Sequence, residues 1–271
     1  MTARAVRLDP GNQNGNNQML VKAPLEGKTV LVTGATRGIG AAIVDALHTE
    51  GAFVIGHYGR DTSSANAMAD RFRDRLSVEQ ADLALGSGAG DLWNAATSKH
   101  GRIDVLVNNV GAYIGSPIAD AATWQKGWDD NLQINLQASA DLCRLAILHF
   151  QANDGGIIIN MASRSSHRGD NPDHLAYGAA KGGLLALTKG IARGYAHENI
   201  LAYALAPGWV RTAMAEDHIS VHGEEAVTSS LPMREITPPS DVAAMVAFLA
   251  SGRCRHATGS TVDITGADYV R

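Results

Sequence analysis

The stretch Thr33-Gly34-Ala35-Thr36-Arg37-Gly38-Ile39-Gly40 restricts the fold of this chain more than any other. It follows a β-prone run, Thr29-Val30-Leu31-Val32, and opens a segment in which Ile39, Ile43, Val44 and Leu47 recur at helical spacing before Gly51. Strand, glycine turn and helix in that order are the context in which three spaced glycines read as a nucleotide site. Gly34 allows a tight turn, Gly38 lets a pyrophosphate approach the backbone, and Gly40 lets the helix pack close to the strand. The unpaired N–H groups of the first helical turn sit at the positive end of the helix dipole and favour an anion. A ligand-free glycine turn is the plainer reading of the glycines alone. The context and the motifs further along argue against it.

From Lys28 onward, short β-branched runs alternate with longer helical segments. This pattern predicts an α/β fold in which a doubly wound parallel sheet of about seven strands, a Rossmann fold, is covered by helices on both faces. Strands are expected near residues 28–33, 52–57, 77–81, 103–108, 156–161, 200–205 and 261–265. Helices are expected near 38–49, 62–75, 89–99, 125–152, 174–197 and 239–250. No linker or internal repeat interrupts the pattern, so residues 27–271 are read as one domain. Residues 1–26, polar and rich in Asn, Gln and Gly, are read as a flexible arm.

Hydrophobic residues make up 45% of the 271, enough for a full core, and the net charge of −4 gives no footprint for nucleic acid. No apolar run reaches membrane-spanning length, and the first residues lack the apolar centre of a secretory signal. A cytoplasmic protein is expected. Cys143 and Cys254 belong to no metal-ligand spacing, so no metal is expected and both are read as buried fillers.

In such sheets ligands bind at the carboxyl ends of the strands. Thr33–Gly40 follows the first strand, Asp82 the third, Asn108-Asn109-Val110-Gly111 the fourth, Ser163 the fifth and Pro207-Gly208 the sixth, so the topology gathers them along one edge. Tyr177-Gly178-Ala179-Ala180-Lys181 places a phenol and an ammonium on one helical face. A nearby cation favours the phenolate, which predicts a depressed pKa for Tyr177 and a role as general acid or base. Alone, this spacing is more often an ordinary amphipathic helix. Ser163 could hydrogen-bond a substrate carbonyl, or simply close a turn. His167 and His174 leave a nucleophilic serine open, although solvent-facing histidines are the plainer expectation. Asn135 lies in a largely apolar helix, where an amide needs partners.

Taken together, Thr33-Gly34-x-x-x-Gly38-Ile39-Gly40, Asn108-Asn109-x-Gly111, Asn135, Ser163, Tyr177-x-x-x-Lys181 and Pro207-Gly208-x-Val210-x-Thr212 resemble the short-chain dehydrogenase/reductase family. The likeness is to its shorter, single-domain form, such as the 3-oxoacyl-carrier-protein reductase-like members. The resemblance implies that Tyr177 is the general acid/base and that Lys181 lowers its pKa and bonds the nicotinamide ribose. It implies that Ser163 orients the carbonyl and that Asn135 holds a relay water. Thr212 would contact the carboxamide, Asn108 would lie near the adenosine ribose and Asp82 at the adenine. Gly111, Pro207, Gly208 and Val210 would complete the cofactor site. The sequence departs from the family at Val110, Ala162 and Thr265-Gly266-Ala267, none of which removes a reacting group.

An NAD site usually has an acid at the end of the second strand. Here Tyr58 aligns with that position, while Arg60 and Arg37 could clamp a 2′-phosphate. NADP(H) is predicted, with NAD(H) the alternative if Asp61 serves the ribose in a shifted register. The acceptor, a small carbonyl compound or alcohol, should sit between Tyr113-Ile114, the 164–173 loop and the 209–234 segment, which reads as a lid or a surface excursion. Arg164, His167 and Arg168 could attract an anionic acceptor. Apolar residues such as Ala138, Leu142, Leu145, Ala146 and Phe150 exceed what a one-sided helix needs. The resemblance implies that these helices pair with a second subunit in a homo-oligomer, a homotetramer or a dimer. Two other function classes compete: a nucleotide-binding regulatory or scaffold protein without turnover, and a serine hydrolase, for which no G-x-S-x-G elbow is present.

Overall fold

Seven short aliphatic and β-branched runs pair side by side in the computed structural model, which describes residues 23–271. They are β1 (Thr29–Val32), β2 (Phe53–Tyr58), β3 (Leu76–Gln80), β4 (Val105–Asn108), β5 (Gly156–Met161), β6 (Ile200–Pro207) and β7 (Thr261–Ile264). All pairings are parallel, in the order β3-β2-β1-β4-β5-β6-β7. Between them run α1 (Gly38–Thr49), α2 (Thr62–Arg71), α3 (Gly88–His100), α4 (Ala121–Leu132), α5 (Ala138–Gln151), α6 (Ser165–Arg168), α7 (Leu175–Tyr195), α8 (Ala213–His222), α9 (Glu224–Thr228) and α10 (Pro239–Ala250).

Side-chain alternation along the strands divides the core in two. Val30, Val32, Val54, Val105 and Val107 pack with Ile43, Val44 and Leu47 of α1 and Val242 and Val246 of α10. Leu31, Ile55, Leu106 and Ile158 pack on the other face with Leu92 and Trp93 of α3 and Leu142, Ala146 and Phe150 of α5. Both faces of the sheet are buried, as the nearly continuous apolar strands require.

The strand order reverses between β1 and β4, and side chains fix that point. Thr33 Oγ1 accepts from the N–H groups of Asn109 (2.9 Å) and Val110 (3.0 Å). Asn109 Nδ2 donates to the carbonyls of Thr33 (2.9 Å) and Gly34 (3.1 Å). The crevice that opens there is where ligands bind in this architecture.

All seven expected strands are present. The helices differ in detail, with local causes. The segment expected as α2 to residue 75 stops at Arg71, because Phe72 turns into the core. The helix expected over 125–152 begins earlier, at Ala121, where Asp120 accepts from the N–H groups of Ala122 and Thr123. It is also broken by a π-helical turn at Gln133–Gln137. The 209–234 segment contains two helices, α8 and α9, with a small core of Val227, Leu231 and Ile236 against Trp209 and Ile219. Most of the expected arm lies outside the described residues, but Leu25 within it is fully buried. Cys143 is buried as expected, whereas Cys254 is exposed, placed in the turn after α10. Of the apolar residues expected to pair subunits, Ala138, Leu142, Ala146 and Phe150 are core. Leu132 and Leu148 are the large apolar side chains of α4 and α5 left exposed.

Ala267, which replaces a frequent glycine, has φ of 65°, in the left-handed region. Relief of that strain should exceed the entropy that a glycine adds to the unfolded chain. Ala267→Gly is therefore expected to stabilise the fold by about 0.5–1 kcal/mol. Urea denaturation checks this, and a midpoint that stays put or falls would show that the position is unstrained.

Candidate active site

The glycine corner fits a diphosphate. Gly34 and Gly38 have φ of 63° and 52°, where side-chain-bearing residues are strained. A Cβ on Gly40 would stand 1.9 Å from the Gly34 carbonyl oxygen, so this position can hold only glycine while the helix lies this close. α1 has no side-chain cap: Arg37, at its N-cap, is extended and accepts nothing through its side chain. The first-turn N–H groups are thus left to an anion. Thr212 closes the corner from the other side, its Cγ2 standing 3.2 Å from where a Cβ on Gly38 would be.

Across the crevice, β5 delivers Ser163 and α7 delivers Tyr177 and Lys181. Ser163 is buried, and its Oγ accepts from the Ser165 N–H at 3.1 Å. Burial pushes the Tyr177 phenol above its ordinary range, while its hydrogen bond with Ser163 and the charge of Arg164 pull it back. Lys181 is 3% exposed and donates to the Met161 carbonyl at 2.8 Å. Burial draws its ammonium down to about 8. The expectation that Lys181 depresses the Tyr177 pKa is not met. Its Nζ is committed to Met161 and lies 6.0 Å from the phenol ring centroid, so desolvation wins.

Asn135 sits in the π-helical turn, fully buried, and its partners are local. Its amide donates to the Ala112 carbonyl (2.9 Å) and to Asn131 Oδ1 (3.1 Å), and its Oδ1 accepts from the Ala112 N–H (3.0 Å). The side chain thereby pins the loop after β4. A Cβ on Gly111 would lie 3.0 Å from Asn135 Oδ1 and 3.2 Å from Lys181 Nζ, so the absent side chain keeps these two groups adjacent.

Next to Tyr177 opens a cavity of about 530 Å³, bounded by Tyr113, Arg164, Arg168, Asp170, His174 and Trp209. Tyr113 stacks on His174 at 3.7 Å and meets Tyr177 edge-on at 5.0 Å. Its hydroxyl donates to Asp170 at 2.8 Å, and Asp170 also accepts from Ser165 Oγ at 2.5 Å. The loop after β4 and the loop after β5 are tied together over the phenol. His167 is not solvent-facing: it stacks on Tyr269 and lies 3.3 Å from Asp263. His174 is likewise held, by Tyr113. Among the described residues neither histidine bonds Ser163, so the serine lacks the base a hydrolase needs.

At the far end of the crevice, Tyr58 closes β2 and Asp82 follows β3. Arg60 is 88% exposed and stands 3.7 Å from Asp82. Asp61 caps α2, accepting from Ser64 N–H at 3.0 Å and Ser64 Oγ at 2.6 Å. Asn108 is not where it was expected. Its amide is buried between β4 and the helices, donating to Asn160 Oδ1 at 2.8 Å and to Cys143 Sγ at 3.3 Å, and so turns away from a ribose. Sequence reasoning assigned roles to neither Asn109 nor His57, both of which build the corner. Asn109 was visible as the second member of the asparagine pair, and His57 as a polar residue in an otherwise apolar strand.

The glycine corner on one side of the crevice, with Ser163, Tyr177 and Lys181 on the other, has the layout of a fold that binds a dinucleotide at its strand ends. Comparison with known proteins narrows this. Residues 34–266 match the family model described as enoyl-(acyl carrier protein) reductase, and the chain belongs to the short-chain dehydrogenase/reductase family. It is 34% identical over 242 residues to 3-oxoacyl-(acyl-carrier-protein) reductase FabG of Rickettsia felis, covering 89% of this chain and 97% of that protein. It is 34% identical over 248 residues to 3beta-hydroxysteroid dehydrogenase 1 of Eggerthella lenta, covering 89% and 94%. The crystal structure of gox2181 superposes with a TM-score of 0.84 at 26% identity, over 91% of this chain and 97% of that one. The chain is an oxidoreductase acting on CH–OH or C=O groups with a nicotinamide cofactor. Among the described residues no helix is long and apolar enough to cross a membrane.

Proposed function

We propose that the protein is an NADP(H)-dependent carbonyl reductase in which Tyr177 is the proton donor. The observation that carries this reading is the convergence of two groups at the strand ends: Ser163 bonded to Tyr177, whose ring meets the cavity wall at Tyr113, and Lys181 beside Gly111 in the loop whose Val110 packs on Gly34. The bound nicotinamide supplies or accepts the hydride. Ser163 Oγ donates to the carbonyl oxygen, and Tyr177 passes its proton to the alkoxide that forms. Lys181 stands beside Asn135 at Gly111, where its ammonium favours negative charge that develops nearby. A phenol whose pKa is raised by burial stays protonated at neutral pH, which suits ketone reduction. Alcohol oxidation needs the phenolate and is expected to rise with pH beyond the ordinary tyrosine value of about 10.

Support for the 2′-phosphate comes from the far end of the crevice. Tyr58 brings no carboxylate, Asp61 is engaged in capping α2, and Arg37 and Arg60 are exposed there. Arg37→Ala combined with Arg60→Ala is expected to raise the KM for NADPH by about a hundredfold or more, since each charge-assisted contact contributes about 1.5–3 kcal/mol and both are lost. The KM for NADH should change little. A screen of ketones and aldehydes with NADPH and NADH in parallel tests the whole reading. Equal turnover with both cofactors would overturn the NADP assignment, and binding without turnover would favour a regulatory protein. Pairing of subunits through the α4–α5 and α7 surfaces into a dimer or tetramer belongs to the same reading, and sedimentation showing only monomer would contradict it.

A further inference from the structure

β2 is apolar except for one residue near its end. His57 is 2% exposed and faces the side of the sheet that carries α3. Its ring bonds at both ends. Nδ1 lies 3.1 Å from the Gly34 backbone nitrogen, and Nε2 lies 3.0 Å from the Ala81 carbonyl oxygen. A backbone N–H can only donate and a carbonyl can only accept. Nδ1 must therefore carry the lone pair and Nε2 the proton, which fixes a neutral imidazole of one tautomer. The His57 backbone carbonyl accepts from the next amide of the turn, Ala35, at 2.8 Å. One residue thus holds the first glycine of the corner and, through Ala81, the approach to Asp82.

We propose that His57 is a positioning residue for the dinucleotide, holding the glycine corner in its binding shape only while the imidazole is neutral. The inference rests on the nicotinamide-dinucleotide reading of the crevice. Protonation places a second N–H at Nδ1, opposite the Gly34 N–H. Two donors then face each other in a buried space, and the corner must shift to part them. Burial resists this protonation and keeps the imidazole below its ordinary value. Among charged neighbours, Asp82 after β3 favours the proton, but it is also 3.7 Å from Arg60. Glu79, the register partner of His57 on β3, is engaged by Lys99 and approached by His100, both on α3, which also carries Asp91. β1 carries no ionisable side chain. Arg37 lies within the turn itself, on the exposed side. The sign follows: affinity for the dinucleotide is full while His57 is neutral, holds through the ordinary histidine value of about 6.5, and falls only once pH drops below the lower value to which burial moves the imidazole.

The test is calorimetric titration with NADP⁺, which survives acid, for the wild type and His57→Asn between about pH 8 and pH 5. The asparagine Oδ1 takes the place of Nδ1 as acceptor for Gly34 and cannot be protonated in this range. The 2′-phosphate of the ligand itself titrates near pH 6, so the quantity read is the ratio of the two dissociation constants at each pH. Circular dichroism at each pH separates unfolding from loss of binding. The two proteins are expected to bind alike at the alkaline end, and the wild type to weaken by about twofold to fivefold more than His57→Asn at the acid end, as a lowered imidazole begins to protonate. A ratio that stays constant across the range would overturn the role of His57 while leaving the site assignment intact. A wild type that binds neither NADP⁺ nor NAD⁺ at the alkaline end would overturn both. His57→Leu, which leaves the Gly34 N–H without an acceptor, is expected to bind weakly at every pH, and affinity equal to the wild type would again contradict the proposal.

Discussion

Tyr177→Phe is expected to lower kcat for carbonyl reduction by about a hundredfold to ten-thousandfold, the range for removal of a positioned general acid. Affinity for NADPH should be little changed. The substitution deletes one hydroxyl and leaves the ring against Tyr113, so the wall of the cavity survives. Because Lys181 is held by the Met161 carbonyl rather than by the phenol, it keeps its place as well. Steady-state kinetics with cofactor titration separate the two effects. Retained turnover would assign the proton to another donor, and an equal loss of cofactor affinity would make Tyr177 a structural residue instead.

The second large effect is expected at Gly40→Ala. The added methyl would meet the Gly34 carbonyl at 1.9 Å and Asn109 Nδ2 at 2.8 Å. Neither neighbour can retreat cheaply: Gly34 is held by His57, and Asn109 by the carbonyls of the turn. Overpacking of this kind costs about 3 kcal/mol. It must also push α1 away from the strand, removing the first-turn N–H groups from the anion. Loss of both dinucleotide binding and several degrees of thermal stability is expected. Gly90→Ala in α3 is the control, since nothing lies within 4 Å of its added methyl, and it should be neutral or slightly stabilising. Near-wild-type binding by Gly40→Ala would mean that the helix and strand are not packed this closely in solution.

The strands and the gathering of Ser163, Tyr177 and Lys181 at their ends were legible because each rests on a short-range signal. Aliphatic runs bounded by turns mark β1 and β4, and the spacing of Tyr177 and Lys181 places them on one face of α7. What escaped depends on direction rather than on composition. Asn108 is the last residue of β4 and Asn109 the first beyond it, and their side chains point to opposite sides. Only Asn109 faces the glycine corner, while Asn108 is spent on Asn160 and Cys143. The π-helical turn around Asn135 has no marker in the apolar periodicity, because its extra residue is accommodated by the bond to Ala112 across the fold. The pKa of Tyr177 was misjudged for a related reason. Helical spacing gives proximity to Lys181, but the ammonium is turned toward the Met161 carbonyl, and burial of the phenol dominates. The 209–234 segment gave no helical period because its apolar residues serve a small local core rather than one face of the sheet.

The account stands on hydride passing between the nicotinamide and a carbonyl carbon in the cavity beside Tyr177. Reduction of a ketone with NADPH dideuterated at the nicotinamide C4 tests this most directly, with mass spectrometry of the alcohol formed. The account predicts deuterium bound to the carbinol carbon, and its disappearance with Tyr177→Phe at matched times. An alcohol whose new carbon-bound hydrogen comes from solvent, or no alcohol from any ketone while the cofactor is bound, would contradict it.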